Sequence, residues 1–402
     1  MTSPSRRVLT RLTALAVLAV PLSFVTFTST AHADGPGAGT PWVVSVGDSY
    51  ISGEAGRWAG NSNNGESYTD ALGSTAYFDN AGHTAETINR CHRSLAAEVY
   101  TGVVNGMNLA CSGAKTSTFT DSNGYFKPGL DFAAGGQAAL LQSFAGSHNV
   151  KAIAVSIGGN NFNFGSVVQS CVTDWASSPT WAKDYCNDDS SVTSNFTTAN
   201  INAQTTAIKN AILNINTAMA NAGYSSSQFA IVVQDYMSPI PTGSGFRYGE
   251  SGYTRQDTGG CGFWNNDANW AVNTALPTIN NAVKNAAAQT GLSNVKIMEL
   301  QNTFNGRRLC ENTVGLLEEK GLATWQSAGA VDNSEWIEQI RTVSTVFGPY
   351  YVQESLHPNY WGERALRNCV RQAYNGGTPR GGTCTRTANG LNASGEPNMT
   401  LQ

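Results

Sequence analysis

The sequence predicts an α/β fold in which helices cover both faces of a parallel β-sheet. Short apolar runs alternate along the chain with longer segments of helical periodicity, a pattern typical of strand–helix–strand units. The predicted strands are Val43–Val46, Met107–Ala110, Ala152–Ile157, Ala230–Gln234 and Val295–Leu300. The predicted helices are Ala199–Ala222, Ala268–Thr290 and Tyr360–Tyr374. Ligands of such sheets bind beyond the carboxyl ends of the strands, so we expect a functional site there.

The first predicted strand runs directly into Gly47-Asp48-Ser49-Tyr50. A serine becomes a useful nucleophile when a base takes its proton and a sharp turn exposes its oxygen. The same residues also suit an ordinary tight turn, because Gly, Asp and Ser favour turns for backbone reasons. Late in the chain, Glu354-Ser355-Leu356-His357-Pro358 precedes the last predicted helix and supplies a histidine. Together these two segments favour an ester hydrolase.

Four separated segments resemble the sequence blocks of the SGNH hydrolase superfamily, also called the GDSL esterases and lipases. Ser49 stands at the position of the family's serine, and Gly113 in Cys111-Ser112-Gly113-Ala114 stands at that of its glycine. Asn160 in Gly158-Gly159-Asn160-Asn161 stands at the position of the asparagine, and His357 at that of the histidine. All four defining residue types are therefore present in the family's order.

The similarity is to secreted bacterial lipolytic members such as phospholipases A and B. It includes Gly47–Glu54, Cys91–Ser94 and Ala110–Ala114 and extends from about Trp42 to Arg371. Two positions depart from the family pattern. The third block ends in Asn161 where the family has Asp, and Glu354 stands where the family has Asp three residues before the histidine. The second departure leaves the acid of the catalytic triad open.

The resemblance implies the SGNH hydrolase fold, a three-layer α/β/α sandwich with a flavodoxin-like parallel sheet. It further implies that Ser49 is the nucleophile and His357 its general base. The backbone N–H groups of Ser49 and Gly113 and the side-chain amide of Asn160 would form the oxyanion hole, in which one donor is worth roughly 3 kcal/mol. Glu354 is predicted to orient His357, and a backbone carbonyl is the alternative.

Histidine is scarce in the chain, which narrows the choice of base. Of the five histidines, His32 lies in the leader, and only His357 immediately precedes a strongly helical segment. A general base must titrate near neutral pH, as imidazole does. His83, His92 and His148 are predicted to be surface or structural residues. Asp48 is predicted to fix the turn beside the nucleophile.

The N-terminus has the pattern of a secretory signal. Arg6, Arg7 and Arg11 precede the apolar stretch Leu12–Val25, and Ala31-His32-Ala33 is an A-x-A cleavage motif. The apolar stretch is shorter than the roughly 20 residues that span a bilayer. We therefore expect residues 1–33 to be removed after Ala33 and the protein to be secreted.

All eight cysteines follow the predicted cleavage site. An even number in an exported protein favours up to four disulfides, although eight cysteines allow about 105 pairings. A zinc site is the alternative, but no close CxxC pair is present. Pairing of neighbours along the chain is the prediction: Cys91 with Cys111, Cys171 with Cys186, Cys261 with Cys310, and Cys369 with Cys384.

Composition restricts the partners. Loss of the three arginines of the leader changes the formal charge from −4 to −7, which disfavours nucleic acid as a partner. The predicted mechanism needs no metal or cofactor. We expect a monomer whose partner is an ester substrate, a lipid or phospholipid.

We expect one catalytic domain over residues 34–374, with a Gly- and Thr-rich tail, 375–402, that is loosely ordered and tied by Cys384. Disulfide-stapled insertions are predicted over residues 162–195, 239–263 and 303–353. The aromatic residues of the third insertion would line an acyl-chain groove or pack in the core: Trp325, Trp336, Phe347, Tyr350 and Tyr351.

The predicted function is hydrolysis of lipid carboxylic esters through an acyl-enzyme on Ser49. A phospholipase A or B, or a lysophospholipase, is the specific expectation, because aromatic-bearing insertions fit long acyl chains. A carbohydrate acetyl esterase acting on xylan is one alternative, since the many Trp and Tyr residues would stack on sugars. A secreted binding module without catalysis is the other.

Overall fold

The structure is a computed structural model that describes residues 34–341 and 351–402. The predicted signal segment, with its cleavage after Ala33, lies outside these residues. The strands are β1 (Pro41–Gly47), β2 (Asn105–Asn108), β3 (Phe119–Thr120), β4 (Phe126–Lys127), β5 (Asn149–Ser156), β6 (Ala230–Gln234), β7 (Val295–Glu299), β8 (Gly382–Leu391) and β9 (Pro397–Leu401).

Helices fill most of the connections between the strands. The α-helices are α1 (Ser49–Ser52), α2 (Gln137–Ala145), α3 (Phe164–Ser177), α4 (Ser190–Thr193), α5 (Thr198–Asn221), α6 (Thr254–Asp257), α7 (Asn265–Trp270), α8 (Leu276–Gln289), α9 (Ala330–Asn333) and α10 (Tyr360–Tyr374). In the described part of the chain, no helix is both long and apolar enough to cross a membrane.

The main sheet has seven strands in the order β2-β1-β5-β6-β7-β8-β9. Each neighbouring pair from β2 to β8 is parallel, and only β8 and β9 run antiparallel. The first five strands of the sheet are β2-β1-β5-β6-β7. When these five are numbered in chain order among themselves, their order is 2-1-3-4-5, which is the flavodoxin-like order. Successive strands are added on one side of β1 up to β2 and on its other side from β5 onward, so the loops that follow β1 and β5 open beside each other.

Both faces of the sheet are covered. Consecutive residues of β5 and β6 are buried, although their side chains alternate between the two faces. Helix α5 contacts both α2 and α8, and α10 packs against β5 and β9. The predicted α/β class with a parallel, helix-covered sheet is confirmed.

The predicted strands and helices are present with small shifts of their ends. Strand β2 begins and ends two residues earlier than predicted, and β5 begins three residues earlier. The predicted helix Ala268–Thr290 is divided into α7, a π-helical segment Ala271–Ala275 and α8. Pro277 lies in the first turn of α8 and has no N–H to donate, which explains why the α-helical hydrogen bonds do not continue through this segment.

The four predicted disulfides are confirmed, and the structure leaves no cysteine free. Three of the bonds lie in connections between the sheet strands, and the fourth joins Cys369 of α10 to Cys384 of β8. Cys171 and Cys186 close the connection that carries α3, and Cys261 and Cys310 join two of the predicted insertions. A disulfide that closes a loop of about 15 residues stabilises a protein by roughly 3 kcal/mol in the chain-entropy description.

The C-terminal tail corrects a prediction. Strand β8 pairs with β7 through Gly382 and Thr383, and β9 pairs with β8, so residues 382–401 extend the sheet. Cys384 is bonded to Cys369 as predicted. The expected loose order of residues 375–402 is wrong. The backbone of this hairpin forms hydrogen bonds within the sheet, and α10 packs against it. These are tertiary contacts that a Gly- and Thr-rich composition does not reveal.

Candidate active site

A glycine ends β1 and turns the chain toward the candidate nucleophile. Gly47 has φ of 140°, and a Cβ at this position would lie 2.0 Å from the carbonyl oxygen of Ser156. Its backbone N–H donates to Oε1 of Gln137 at 2.6 Å, and its carbonyl accepts from Nε2 of the same side chain at 2.8 Å. Strand β5 and helix α2 therefore hold the strand end in a conformation that only glycine adopts at low cost.

Asp48 fixes the turn, as predicted. Its carboxylate accepts from the backbone N–H of Tyr50 at 3.1 Å and so caps the short helix α1. The other carboxylate oxygen accepts from the hydroxyl of Tyr236 at 2.5 Å. Burial raises the pKa of Asp48 to about 7, although both hydrogen bonds oppose the shift. Each carboxylate oxygen therefore already accepts a hydrogen bond from a donor other than the hydroxyl of Ser49.

Ser49 and His357 meet directly at the carboxyl edge of the sheet. Nε2 of His357 lies 2.6 Å from Oγ of Ser49, and both residues are buried. The histidine loop is held by Tyr50, whose hydroxyl donates to the carbonyl of Leu356 at 2.9 Å and whose ring lies 4.9 Å from the imidazole. The predicted nucleophile and base are thus brought within hydrogen-bond distance.

The other imidazole nitrogen shows how the base is oriented. Nδ1 of His357 lies 3.0 Å from the carbonyl oxygen of Ser355, which can only accept a hydrogen bond. Nδ1 therefore carries the proton, and Nε2 is left to accept one from Ser49. This is the tautomer that a general base requires, and a neutral backbone group selects it.

Glu354 does not orient His357, and its assignment as the acid of a triad is wrong. Its carboxylate is buried and accepts from Nε1 of Trp58, from the hydroxyl of Tyr77 and from the backbone N–H of Tyr351. Burial raises the pKa of Glu354 to about 6, with a further contribution from Glu54. The backbone-carbonyl alternative describes the orientation correctly, while Glu354 braces the start of the histidine loop.

The three predicted oxyanion donors line the same cleft as Ser49 and His357. Ser49 is the first residue of α1, so its N–H has no acceptor within that helix. Gly113 has φ of 80°, a conformation that favours glycine, and its N–H donates to no acceptor among residues 34–341 and 351–402. Nδ2 of Asn160 donates one hydrogen to the carbonyl of Ala114 at 3.0 Å, which leaves the second hydrogen available. Their role as an oxyanion hole stays a prediction.

The cleft has a volume of about 950 Å³. Among its described lining residues, the charged side chains besides His357 are Asp48, Arg90 and Arg341. Of the aromatic residues in the third insertion, Tyr351 lines the cleft, whereas Trp336 is fully buried against Phe304. Phe347 and Tyr350 lie outside the described residues. No cluster of three or more His, Cys, Asp and Glu side chains in the described ranges is arranged to hold a metal ion.

A buried ion pair beside the cleft was not predicted as part of the site. Oε1 of Glu54 lies 2.7 Å from Nδ1 of His92, and its Oε2 accepts from Nε2 of Gln353 at 3.0 Å. The same amide of Gln353 approaches Oγ of Ser112, the residue before Gly113, at 3.4 Å. One network therefore joins the nucleophile segment, the glycine segment and the histidine loop. The only sequence signal was that Glu54 and His92 fall within segments that resemble the family.

The charge of Glu54 acts on the candidate base. Burial would raise the pKa of Glu54, but the charge and hydrogen bond of His92 outweigh it and lower that pKa to about 2. Burial lowers the pKa of His357 below its ordinary value of 6.5, and the negative charge of Glu54 is the largest opposing influence. The charge of His92 lowers the pKa of His357, but this effect is smaller than that of Glu54. Glu54 is thus the carboxylate that stabilises the protonated imidazole from a distance.

Comparison with known proteins gives a partial similarity. No protein-family description and no curated sequence matches the chain. An extracellular lipase from Streptomyces rimosus is a structural match with 17% identity and a TM-score of 0.42, covering 81% of this chain and 95% of the lipase. Phospholipase A1 from Streptomyces albidoflavus matches with 16% identity and a TM-score of 0.43, covering 83% of this chain and 99% of that enzyme.

A third match is an acetyl xylan esterase from the rumen bacterium Butyrivibrio proteoclasticus. It has 10% identity and a TM-score of 0.36, and it covers 84% of this chain and 64% of the esterase. By their names, all three matched proteins hydrolyse carboxylic esters.

Substitution of the base and of the neighbouring carboxylate should have very different effects. His357→Ala removes the proton acceptor of Ser49, so we expect turnover of a p-nitrophenyl ester to fall by roughly 10⁴-fold or more. Glu354→Gln leaves the contacts of His357 intact and should cost less than about tenfold in turnover. The same variant should lower the free energy of unfolding in urea by about 1–3 kcal/mol, because a buried amide replaces an acceptor of three hydrogen bonds. Equal losses of turnover in the two variants would contradict this assignment.

Removal of the charge of Glu54 should shift the pH profile. Only neutral His357 accepts a proton, so the acidic limb of kcat/KM follows its pKa and should lie below pH 6.5. Glu54→Gln removes the anion that favours the protonated imidazole. We therefore expect the limb to move to lower pH by about half a unit to one unit, with a lower plateau. Glu354→Gln is the matched control and should not move the limb. A shift to higher pH, or the same shift in both variants, would show that Glu54 does not act on His357 in this way.

Proposed function

We propose that the chain is a secreted serine ester hydrolase that acts on lipid esters, of the phospholipase A or B or lysophospholipase type. The observation that carries this proposal is the 2.6 Å contact between Oγ of Ser49 and Nε2 of His357, whose Nδ1 faces the carbonyl oxygen of Ser355. A hydroxyl so placed is an activated nucleophile. A binding module would have no need for this contact.

Acylation follows from this geometry. Nε2 of His357 takes the proton of Ser49 as the oxygen attacks the ester carbonyl, and the negative charge moves onto the carbonyl oxygen. The N–H groups of Ser49 and Gly113 and the amide of Asn160 stabilise that charge. The intermediate then collapses by breaking the bond to the leaving alcohol, which receives the proton from Nε2. In the second half, water loses a proton to Nε2, attacks the acyl-enzyme and releases the carboxylic acid and Ser49.

An apolar cavity next to the catalytic cleft supports an acyl substrate. It has a volume of about 60 Å³ and lies between α3, the π-helical segment Ala271–Ala275 and the start of α8. Five residues line both the cavity and the cleft: Phe164, Val168, Pro239, Leu276 and Ile279. Burial of a methylene group contributes about 0.8 kcal/mol, so an acyl chain that enters this cavity gains affinity with length. An acetyl group would leave the cavity unused.

The carbohydrate alternative has less support in the cleft. Sugar stacking requires exposed aromatic faces, yet no tryptophan is among the described residues that line the cleft, and the guanidinium of Arg90 lies over the ring of the exposed Tyr351. Trp58, Trp175, Trp264 and Trp336 are buried in the protein instead. Trp181 is exposed, but it lies in the connection after α3 and does not line the cleft. An acetyl xylan esterase is therefore an outcome to be tested rather than the favoured function.

The proposed location is extracellular. Four disulfides persist in oxidising compartments and are rare in the cytosol. The predicted signal segment 1–33 agrees with export. Mass spectrometry of the protein secreted by its host would test cleavage after Ala33 through the mass of the N-terminal peptide.

Product release by the purified protein and its Ser49→Ala variant tests the function. We expect the wild type to release fatty acid from phosphatidylcholine and lysophosphatidylcholine, and kcat/KM on p-nitrophenyl esters to rise from acetyl to longer acyl chains. The variant should be slower by roughly 10³-fold or more, because it lacks the nucleophile. Acetate release from acetylated xylan, without fatty acid release, would replace the lipid proposal by the carbohydrate one. Absence of serine-dependent release from every ester would favour the binding module.

A further inference from the structure

The catalytic cleft carries a guanidinium group that the hydrolytic mechanism does not use. Arg90 is half-buried and lines the cleft together with Ser49 and Gly113. Arg90 immediately precedes Cys91, whose disulfide to Cys111 ties this segment to the loop that carries Gly113. A cation at this place is notable because the chain as a whole is acidic, with a formal charge of −4.

Aromatic faces hold the guanidinium of Arg90. Its Cζ lies 4.5 Å from the ring centre of Tyr351 and 5.4 Å from that of Tyr125. Within residues 34–341 and 351–402, Arg90 makes no ion pair, and its Nη1 is enclosed without a hydrogen-bond acceptor. The backbone carbonyl of Arg90 accepts from Nζ of Lys127 at 2.7 Å, which fixes the main chain. The side chain is therefore positioned and partly desolvated, and no carboxylate of residues 34–341 or 351–402 forms an ion pair with it.

The other charged groups around the cleft are engaged with protein partners. Arg341 pairs with Glu338 at 2.8 Å, and Asp48 is bound by Tyr236 and Tyr50. Glu86, which is near Arg90 in sequence, lies 3.6 Å from His92. No described carboxylate that lines the cleft is therefore placed to neutralise Arg90. Among the lining residues that the structure describes, Arg90 is thus a cation without a paired carboxylate, and it lies beside a nucleophile and an apolar cavity.

We propose that Arg90 binds the phosphodiester group of a glycerophospholipid whose ester carbonyl is attacked by Ser49. A planar guanidinium suits phosphate because it donates two parallel hydrogen bonds, and stacking on aromatic rings keeps it preorganised. The acyl chain would then occupy the apolar cavity, and the ester carbonyl would contact the donors around Ser49. The phosphate would contact Arg90. This inference rests on the proposed function and adds to it the residue that would recognise the phosphate of the substrate.

Two esters with identical acyl chains test the proposal. Short-chain phosphatidylcholine and the diacylglycerol with the same chains differ only in the phosphocholine group. We expect Arg90→Gln to lower kcat/KM for the phospholipid by about tenfold to hundredfold, as loss of a charged hydrogen bond does, and for the diacylglycerol by less than about threefold. Arg90→Lys keeps the positive charge but lacks the two parallel N–H donors of the guanidinium, so it should retain part of the phospholipid activity. The melting temperature of each variant checks that it is folded.

Arg341→Gln is the matched control, since Arg341 lines the same cleft but is paired with Glu338. It should leave the ratio of phospholipid to diacylglycerol kcat/KM unchanged. Equal losses of kcat/KM on both substrates in Arg90→Gln would overturn the assignment of Arg90. A lower ratio of phospholipid to diacylglycerol kcat/KM in Arg341→Gln alone would also overturn it. If Arg90→Gln does not fold, an unchanged substrate ratio in Arg90→Lys would overturn it. A wild-type protein that hydrolyses neither ester would instead refute the proposed function itself.

Discussion

The contact between Ser49 and His357 joins residues that are 308 positions apart in the chain, and most features around the site serve to maintain it. The turn at Gly47 lifts the serine out of the sheet, and Asp48 caps the short helix that presents it. On the other side, Tyr50 holds the histidine loop through the carbonyl of Leu356, and the carbonyl of Ser355 selects the tautomer. A parallel sheet makes this possible, because its strand ends bring distant loops to one edge.

The electrostatics of the site depend on which carboxylates are paired. Glu54 is kept ionised by His92 and raises the pKa of the buried imidazole, whereas Glu354 is surrounded by the neutral donors of Trp58 and Tyr77. Two buried carboxylates that are close in space thus have different roles. A neutral carbonyl at Nδ1 and a more distant anion would replace the direct carboxylate contact of a conventional triad.

Much of the fold and of the site could be predicted from the sequence. Apolar runs of strand length located β1, β5, β6 and β7, since buried parallel strands are continuously apolar. The positions of Ser49, Gly113, Asn160 and His357 followed from their blocks, and the structure brings all four to one cleft. The orienting group could not be predicted, because a backbone carbonyl leaves no mark in the sequence while Glu354 has the spacing of a triad acid. The β8–β9 hairpin was missed because its stability comes from pairing with β7 and packing on α10.

Covalent labelling with a fluorophosphonate, followed by mass spectrometry of the peptides, tests the nucleophile–base pair most directly. This reagent traps an activated serine without needing the natural substrate, so the answer does not depend on the lipid assignment. We expect a single adduct on Ser49 in the wild type and labelling that is slower by orders of magnitude in His357→Ala. Labelling at another residue, or at an equal rate in the two proteins, would contradict the assignment of His357 as the base that activates Ser49.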